Sequence, residues 1–319
     1  MKANRERIVD IGLLVLVNTL WAAQYAAYKI ATEKMGPLTV SAWAFLMASI
    51  VLFPFLVLEQ KKAKAAMPAD SLRSARWQPF SSGRNISAFV VASAFGLVPG
   101  SAFLAWGVER STASNAAIIY LTIPVITALL ASIVLGEKMT RLRWVSLGIA
   151  LAGVLILSTP DLKQLSLSSD RFLLGNFLVL LACLGSSLYN VACKELLKSF
   201  TPMQVLVYGY LLAFVVTFLL MHWMEPFSLS SLRAYSASTW ISLAVLSILS
   251  WGLAMVLWMF LLQRLDVSQA SVSIYLLPFL GVVISAITLH ETIGFATLLG
   301  GVTTLAGTIL ITTLESSTA

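Results

Sequence analysis

The chain has 319 residues, 59% of them hydrophobic and 11% charged, with a formal net charge of +7 and a mean hydropathy of +0.89. A water-soluble domain of that composition would leave its surface apolar and aggregate, which excludes a soluble enzyme or binding module. The basic residues fall in short loops between long apolar runs, where they orient a chain in a bilayer, so the positive charge does not point to nucleic acid.

A bilayer core asks for about 17 to 25 apolar residues per helix. Charged and turn-forming residues mark out ten such segments in chain order, at 8–30, 38–58, 86–108, 112–135, 142–159, 172–194, 202–222, 237–262, 268–290 and 293–313. The first follows Lys2, Arg5 and Arg7 and has the look of a signal peptide, but the repeat described below gives it a counterpart deep in the chain, which argues against cleavage. The longest loop, 59–85, carries Lys61, Lys62, Lys64, Arg73, Arg76 and Arg84. A second linker, 160–171, begins Pro160-Asp161 and divides the chain into halves at 1–160 and 161–319. With both termini in the cytoplasm, fifteen of the 21 basic residues lie on the inner side and six on the outer, the asymmetry that sets orientation. Cys183 and Cys193 share one predicted helix, about 15 Å apart, too far for a disulfide.

An internal repeat is the most informative feature. At an offset of 165, Lys29 falls on Lys194 and Pro37 on Pro202, each proline suited to the first turn of a helix. At an offset of 154, Arg110 falls on Arg264, Thr112 on Asp266, Pro124 on Pro278, Glu137 on Glu291 and Gly153 on Gly307. Each half holds five spans, an odd number, so the second half enters the membrane upside down relative to the first. The expected fold is therefore all-α, with ten transmembrane helices in two inverted five-helix repeats around a central cavity. Secondary transporters are often built this way, with a solute site near the midplane.

At these residues the chain resembles the EamA-type ten-helix carriers of the drug/metabolite transporter superfamily, over essentially its whole length. The resemblance rests on Trp21, on Asn115-Ala-Ala-Ile-Ile-Tyr120-Leu-Thr-Ile-Pro124, on Gly136-Glu137-Lys138, and on Trp144 and Gly153. The second half repeats it more weakly through Ser268-Gln-Ala-Ser-Val-Ser, Pro278, His290-Glu291 and Gly307. The family's first helix commonly reads Trp-Gly-Ser-x-Phe, where this chain has Trp21-Ala-Ala-Gln24-Tyr25. The resemblance implies a carrier of the bacterial inner membrane, often an exporter of amino acids, amines or related amphipathic solutes. The alternative is a non-transporting membrane scaffold or receptor.

Trp21, Gln24, Tyr25 and Tyr28 are spaced i, i+3, i+4 and i+7, which puts them on one face of the first helix. The matching face of the sixth helix carries Ser186, Tyr189, Asn190 and Cys193. Amides and hydroxyls find no partner in lipid, so both faces should point into the protein, to line a cavity or to bond between helices. The candidate substrate-binding residues are Trp21, Gln24, Tyr25, Asn115, Tyr189, Asn190, Tyr275 and Trp258. Pro124 and Pro278 should bend their helices near the middle, as a static kink or as a hinge. Glu137 and Glu291 end the fourth and ninth helices against an unfavourable dipole, with the N-terminus of the following helix at hand to compensate. Lys29 and Lys194 most simply snorkel to water.

No catalytic motif, metal-ligand spacing or nucleotide-binding loop is present in the sequence, so no enzyme activity, cofactor or metal is expected, and the working unit is expected to be a monomer in the lipid bilayer acting on a small-molecule solute. No Asp, Glu or Arg falls near the middle of any predicted span, the usual place of a proton relay. Solute flux is therefore expected to change little when a pH gradient is imposed at fixed voltage. A steep dependence in vesicles with clamped potential would refute this.

Overall fold

The computed structural model describes residues 2–65, 83–110, 119–157, 170–225, 235–280, 283 and 295–314. These residues form helices and short connections. We label the helices α1 (Lys2–Thr32), α2 (Pro37–Ala65), α3 (83–110), α4 (Ile123–Leu135), α5 (Arg141–Leu157), α6 (Asp170–Leu196), α7 (Pro202–Met224), α8 (237–264), α9 (Val267–Leu280) and α10 (Phe295–Leu314). Five are long and apolar enough to cross a bilayer: Pro37–Lys62, Asn85–Leu104, Leu173–Leu196, Pro202–Met224 and Ala237–Arg264. Large apolar side chains point outward along them and their neighbours, such as Phe53, Phe55, Ile133 and Trp223. That outer surface matches lipid rather than water.

Local chemistry explains where the helices begin and end. Pro202 occupies the first turn of α7, and Thr201 and Gln204 form a reciprocal capping box in front of it. Asp266 and Gln269 do the same for α9. Gly136 ends α4 at φ 71°, a left-handed conformation that a side chain would resist.

Pro124 does not kink the middle of a continuous helix, as expected from the sequence. The chain turns at 121–122, and Pro124 stands in the first turn of α4, where its missing N–H costs nothing. In α9 a 3₁₀ stretch, Ser273–Tyr275, precedes Pro278. It falls 154 residues after 119–121, so both prolines follow a local tightening of the chain.

Helices α2 and α7 run antiparallel and close each other's ends. The Glu225 carboxylate, just past α7, accepts from the Leu38 N–H at 2.6 Å, the Thr39 N–H at 2.8 Å and the Thr39 hydroxyl at 2.6 Å. A side chain on Gly36 would occupy the space of that carboxylate. At the opposite end, the Thr201 hydroxyl donates to Glu59 Oε2 at 2.9 Å.

Helices α5 and α10 pack backbone to backbone through small residues. A Cβ on Gly307 would lie 2.8 Å from the Ala150 nitrogen, and one on Gly153 would meet the backbone of Thr304. The largest apolar cluster brings together α1, α2, α3, α6, α7, α8, the start of α9 and Ala131 of α4.

Removing the α2 cap should be costly, because two buried N–H groups would lose their acceptor. Glu225→Ala is expected to lower stability by about 1–3 kcal/mol, read as a lower thermal midpoint in detergent, and Glu225→Gln, which keeps one acceptor, should lose less. An unchanged midpoint for Glu225→Ala would remove the cap from the account.

Candidate functional site

The polar face of α1 meets α8 and, through α8, α6. The Trp21 and Trp258 rings lie 5.2 Å apart between centroids, tilted by 58°. Trp258 is fully buried, and its indole Nε1 donates to Asn190 Oδ1 at 3.2 Å. One turn away, the Ser250 hydroxyl donates to Gln24 Oε1 at 2.7 Å. Four sequence-predicted residues, Trp21, Gln24, Asn190 and Trp258, are thus gathered along the α1–α8–α6 contact. Tyr189 packs in the same apolar cluster, with its hydroxyl buried and, among the described residues, no hydrogen-bond partner for it. Tyr28 stands further along α1, in a smaller cluster with Trp43, Leu243, Leu246 and Trp251.

Tyr275 lies elsewhere. It packs among Leu121, Leu147, Val154 and Ile311, beside α5 and α10, and its hydroxyl too has no partner among the described residues. Asn115 and the side chain of Tyr25 lie outside the described residues, as do His290 and Glu291.

Ser250 reaches Gln24 from a π-helical stretch of α8, Val245–Ala254. A second π stretch, Val91–Leu97 in α3, begins 154 residues earlier, at the matching position of the repeat. A π turn widens the helix and displaces one residue from the regular ladder, which turns side chains such as Ser250 toward a neighbour. The two stretches differ in what they carry. Ser250 corresponds to Gly96, and Gln24 to Tyr189. Between α3 and α6 the contact is closed by backbone: a Cβ on Gly96 would lie 2.9 Å from Tyr189 Cα, and one on Gly100 would lie 2.8 Å from Ser186 Oγ. Between α1 and α8 the matching positions hold an indole, an amide and a hydroxyl, those of Trp21, Gln24 and Ser250. The chemistry of the pair is therefore concentrated on one of its two versions.

Asn18, one turn before Trp21, is a member of the α1 face that the spacing of aromatic residues did not reveal. It is fully buried, and its Nδ2 donates to Ser273 Oγ at 3.0 Å, while Oδ1 has no partner among the described residues. The extension of the i, i+3 series by one step back would have found it.

A charged cluster lies apart from this group, between the α4–α5 connection and the start of α9. Glu137 does not compensate at the N-terminus of the next helix, α5, as expected. Its carboxylate crosses to the other half of the chain and accepts from the Val267 N–H at 2.7 Å, the Ser268 N–H at 3.0 Å and the Ser268 hydroxyl at 2.6 Å. A loop carboxylate is satisfied better by the first-turn N–H groups of a helix it can reach in space, which have no intrahelical acceptor, than by a neighbour in sequence. Arg143, 1% exposed, pairs with Asp266, donates to Ser268 Oγ at 2.7 Å and lies 3.6 Å from Glu137. Lys194 also departs from expectation: its ammonium donates to the carbonyls of Leu262 at 2.6 Å and Leu265 at 3.0 Å, closing the C-terminus of α8 instead of reaching for water. Among the described residues, no group of three or more His, Cys, Asp or Glu has metal-binding geometry.

Comparison with known proteins adds an independent line. The profile of the EamA-like transporter family matches residues 10–159 and 173–313. A protein of Streptantibioticus cattleyicolor described as a "Probable terminal-alkyne amino-acid exporter" is 26% identical, over 94% of this chain and 92% of its own. A transporter of Archaeoglobus fulgidus is also 26% identical, over 94% of this chain and 96% of its own. A solved crystal structure superposes with a TM-score of 0.74 at 16% identity, over 95% of this chain and 96% of the other, a likeness of fold.

The unequal contacts make a measurable contrast. Gly96→Val drives a side chain into the Tyr189 backbone and should cost about 1–3 kcal/mol, the range for overpacking. Ser250→Ala at the matching position removes one hydrogen bond and should cost about 1 kcal/mol. Thermal unfolding in detergent compares them; equal losses would contradict the difference between the two contacts.

Proposed function

Because the chain belongs to the EamA-like transporter family, we propose that it is a secondary transporter carrying a small amphipathic metabolite, an amino acid or amine, out of the cell by alternating access. The proposed architecture is ten membrane crossings in two inverted five-helix repeats, 1–160 and 161–319, around a shared solute pathway. The protein is a multi-pass membrane protein. We place it in the inner membrane with both termini in the cytoplasm, working as a monomer.

The observation that carries this reading is the joining of Trp21, Gln24, Asn190 and Trp258 inside an otherwise apolar core. Packing alone does not call for an amide on α1 and another on α6 beside two indoles. Indole faces hold an ammonium group and an apolar side chain together. Each amide keeps donors and acceptors that Ser250 and Trp258 do not use, enough to fix a carboxylate or an amine by hydrogen bonds. Tyr25, Asn115, Tyr189 and Tyr275 complete the proposed set of solute-binding residues. The exporter named among the relatives supports an amino-acid class of solute and an outward direction.

The antiparallel pairing of α2 and α7, which match each other at the 165-residue offset, supports the inverted arrangement. The two spans matched by the family profile support the division of the chain. Alternating access requires contacts between halves that close one face and release it. The Glu137–Arg143–Asp266–Ser268 cluster is a contact of that kind, since it ties the end of α4 to the start of α9.

Purified protein in proteoliposomes should move members of a panel of amino acids and amines faster than protein-free vesicles. The combined variant Gln24→Ala, Tyr25→Ala, Asn190→Ala should lose most of that flux while keeping a normal elution profile, its thermal midpoint lowered only by the loss of the Ser250 and Trp258 hydrogen bonds. Undiminished flux in a folded triple variant rules out the assigned site, and no flux for any solute counts against the transport reading itself.

A further inference from the structure

Where the end of α2, the turn between α6 and α7 and the last turns of α8 come together, the surface opens into a groove of about 650 Å³ that the solute pathway does not use. Its walls include Phe55, Leu58 and Phe260, which are 56%, 54% and 46% exposed. Residues so apolar and so open belong against hydrocarbon. The floor is charged. Glu59, Lys62 and Lys198 all line the groove.

These charges are incompletely used within the protein. Glu59 Oε2 takes the Thr201 hydroxyl at 2.9 Å, and its other oxygen has no partner among the described residues. Lys62 is exposed and, among the described residues, has no carboxylate within ion-pair distance, although Glu59 is one helical turn away. Lys198 meets Glu195 at 2.6 Å, an exposed pair that leaves ammonium hydrogens to spare. A carboxylate and two ammonium groups thus face one groove without pairing with each other, directly beside an apolar wall.

We propose that this groove binds a phospholipid with a primary-amine headgroup, phosphatidylethanolamine. Its phosphate would lie between Lys62 and Lys198, and its ammonium would donate to the open oxygen of Glu59. The acyl chains would run along Phe55, Leu58 and Phe260. Helix ends lie at the depth of lipid headgroups, where charge-assisted hydrogen bonds to phosphate are only partly screened. A choline headgroup presents no N–H to Glu59, and a glycerol headgroup brings no cation to it. The sign pattern of the groove therefore favours the zwitterionic amine over either. The inference rests on the chain being embedded in lipid and is independent of what Trp21 and its neighbours bind.

The test is native mass spectrometry of the delipidated full-length protein. Phosphatidylethanolamine, phosphatidylcholine and phosphatidylglycerol with identical acyl chains are titrated in turn. Phosphatidylethanolamine adducts are expected to persist severalfold more than the other two. Lys62→Ala and Glu59→Gln should each erase that preference. Glu59→Gln keeps an acceptor for Thr201, and Lys62 is exposed, so thermal midpoints should hold and verify folding. Equal retention of phosphatidylcholine would reduce the groove to an apolar surface, and stronger retention of phosphatidylglycerol would make it a simple cation site. Either result overturns the proposal, as does an undiminished preference in both folded variants or no retained lipid at all.

Discussion

A helix end in a bilayer leaves N–H or C=O groups with no intrahelical partner, and little water is present to take its place. In this protein the missing partners are supplied by charged side chains from distant parts of the chain. Glu225 closes α2, Glu137 closes α9, and Lys194 closes α8. Each such bond fixes two helices to each other as well as satisfying a backbone. Lys194 joins α6 to α8, and the Asp10–Arg264 pair at 3.2 Å joins α1 to α8, so the grouping of aromatic and amide side chains lies among elements held by such ties.

The ties are not equivalent in kind. Glu225 and Glu59 lie at opposite ends of the same antiparallel pair, so α2 and α7 are held at both ends together. Glu137 belongs to a denser cluster, in which Arg143 is buried and neutralised by two carboxylates. Such a cation is tolerable only while its partners stay in place, since an unpaired buried charge costs several kcal/mol or more. The 154-residue offset sets Thr112 against Asp266 and Thr297 against Arg143. The ion pair therefore belongs to one register of the repeat alone.

The same unevenness appears along the helix contacts. Two π stretches begin at matched positions, yet one presents Gly96 to α6 and the other presents Ser250 to Gln24. Glycine lets backbones approach, and a gain in packing replaces side-chain chemistry. At the other contact a serine and an indole stand at the matching positions and leave polar groups between the helices. Of the two contacts, one is thus closed by glycine and the other carries a side-chain hydrogen bond.

Much of this was legible in the order of residues. Apolar run lengths marked the helices because a bilayer has a fixed thickness, and helical spacing put Trp21, Gln24 and Tyr28 on one face because the α-helical period is fixed by the backbone. Paired prolines, glycines and lysines pointed to a repeat. These are properties of a segment taken alone. Which carboxylate meets which helix is a property of segments far apart: Glu137 is nearer in sequence to α5, yet it bonds to α9, 130 residues on. The choice between a kink and a helix start at Pro124, the separation of Tyr275 from Trp258, and the recruitment of Asn18 and Ser250 were likewise decided by neighbours that only folding brings near. Local periodicity is written by the chain's own covalent geometry, whereas the partner of a buried polar group is settled by whichever element packs against it.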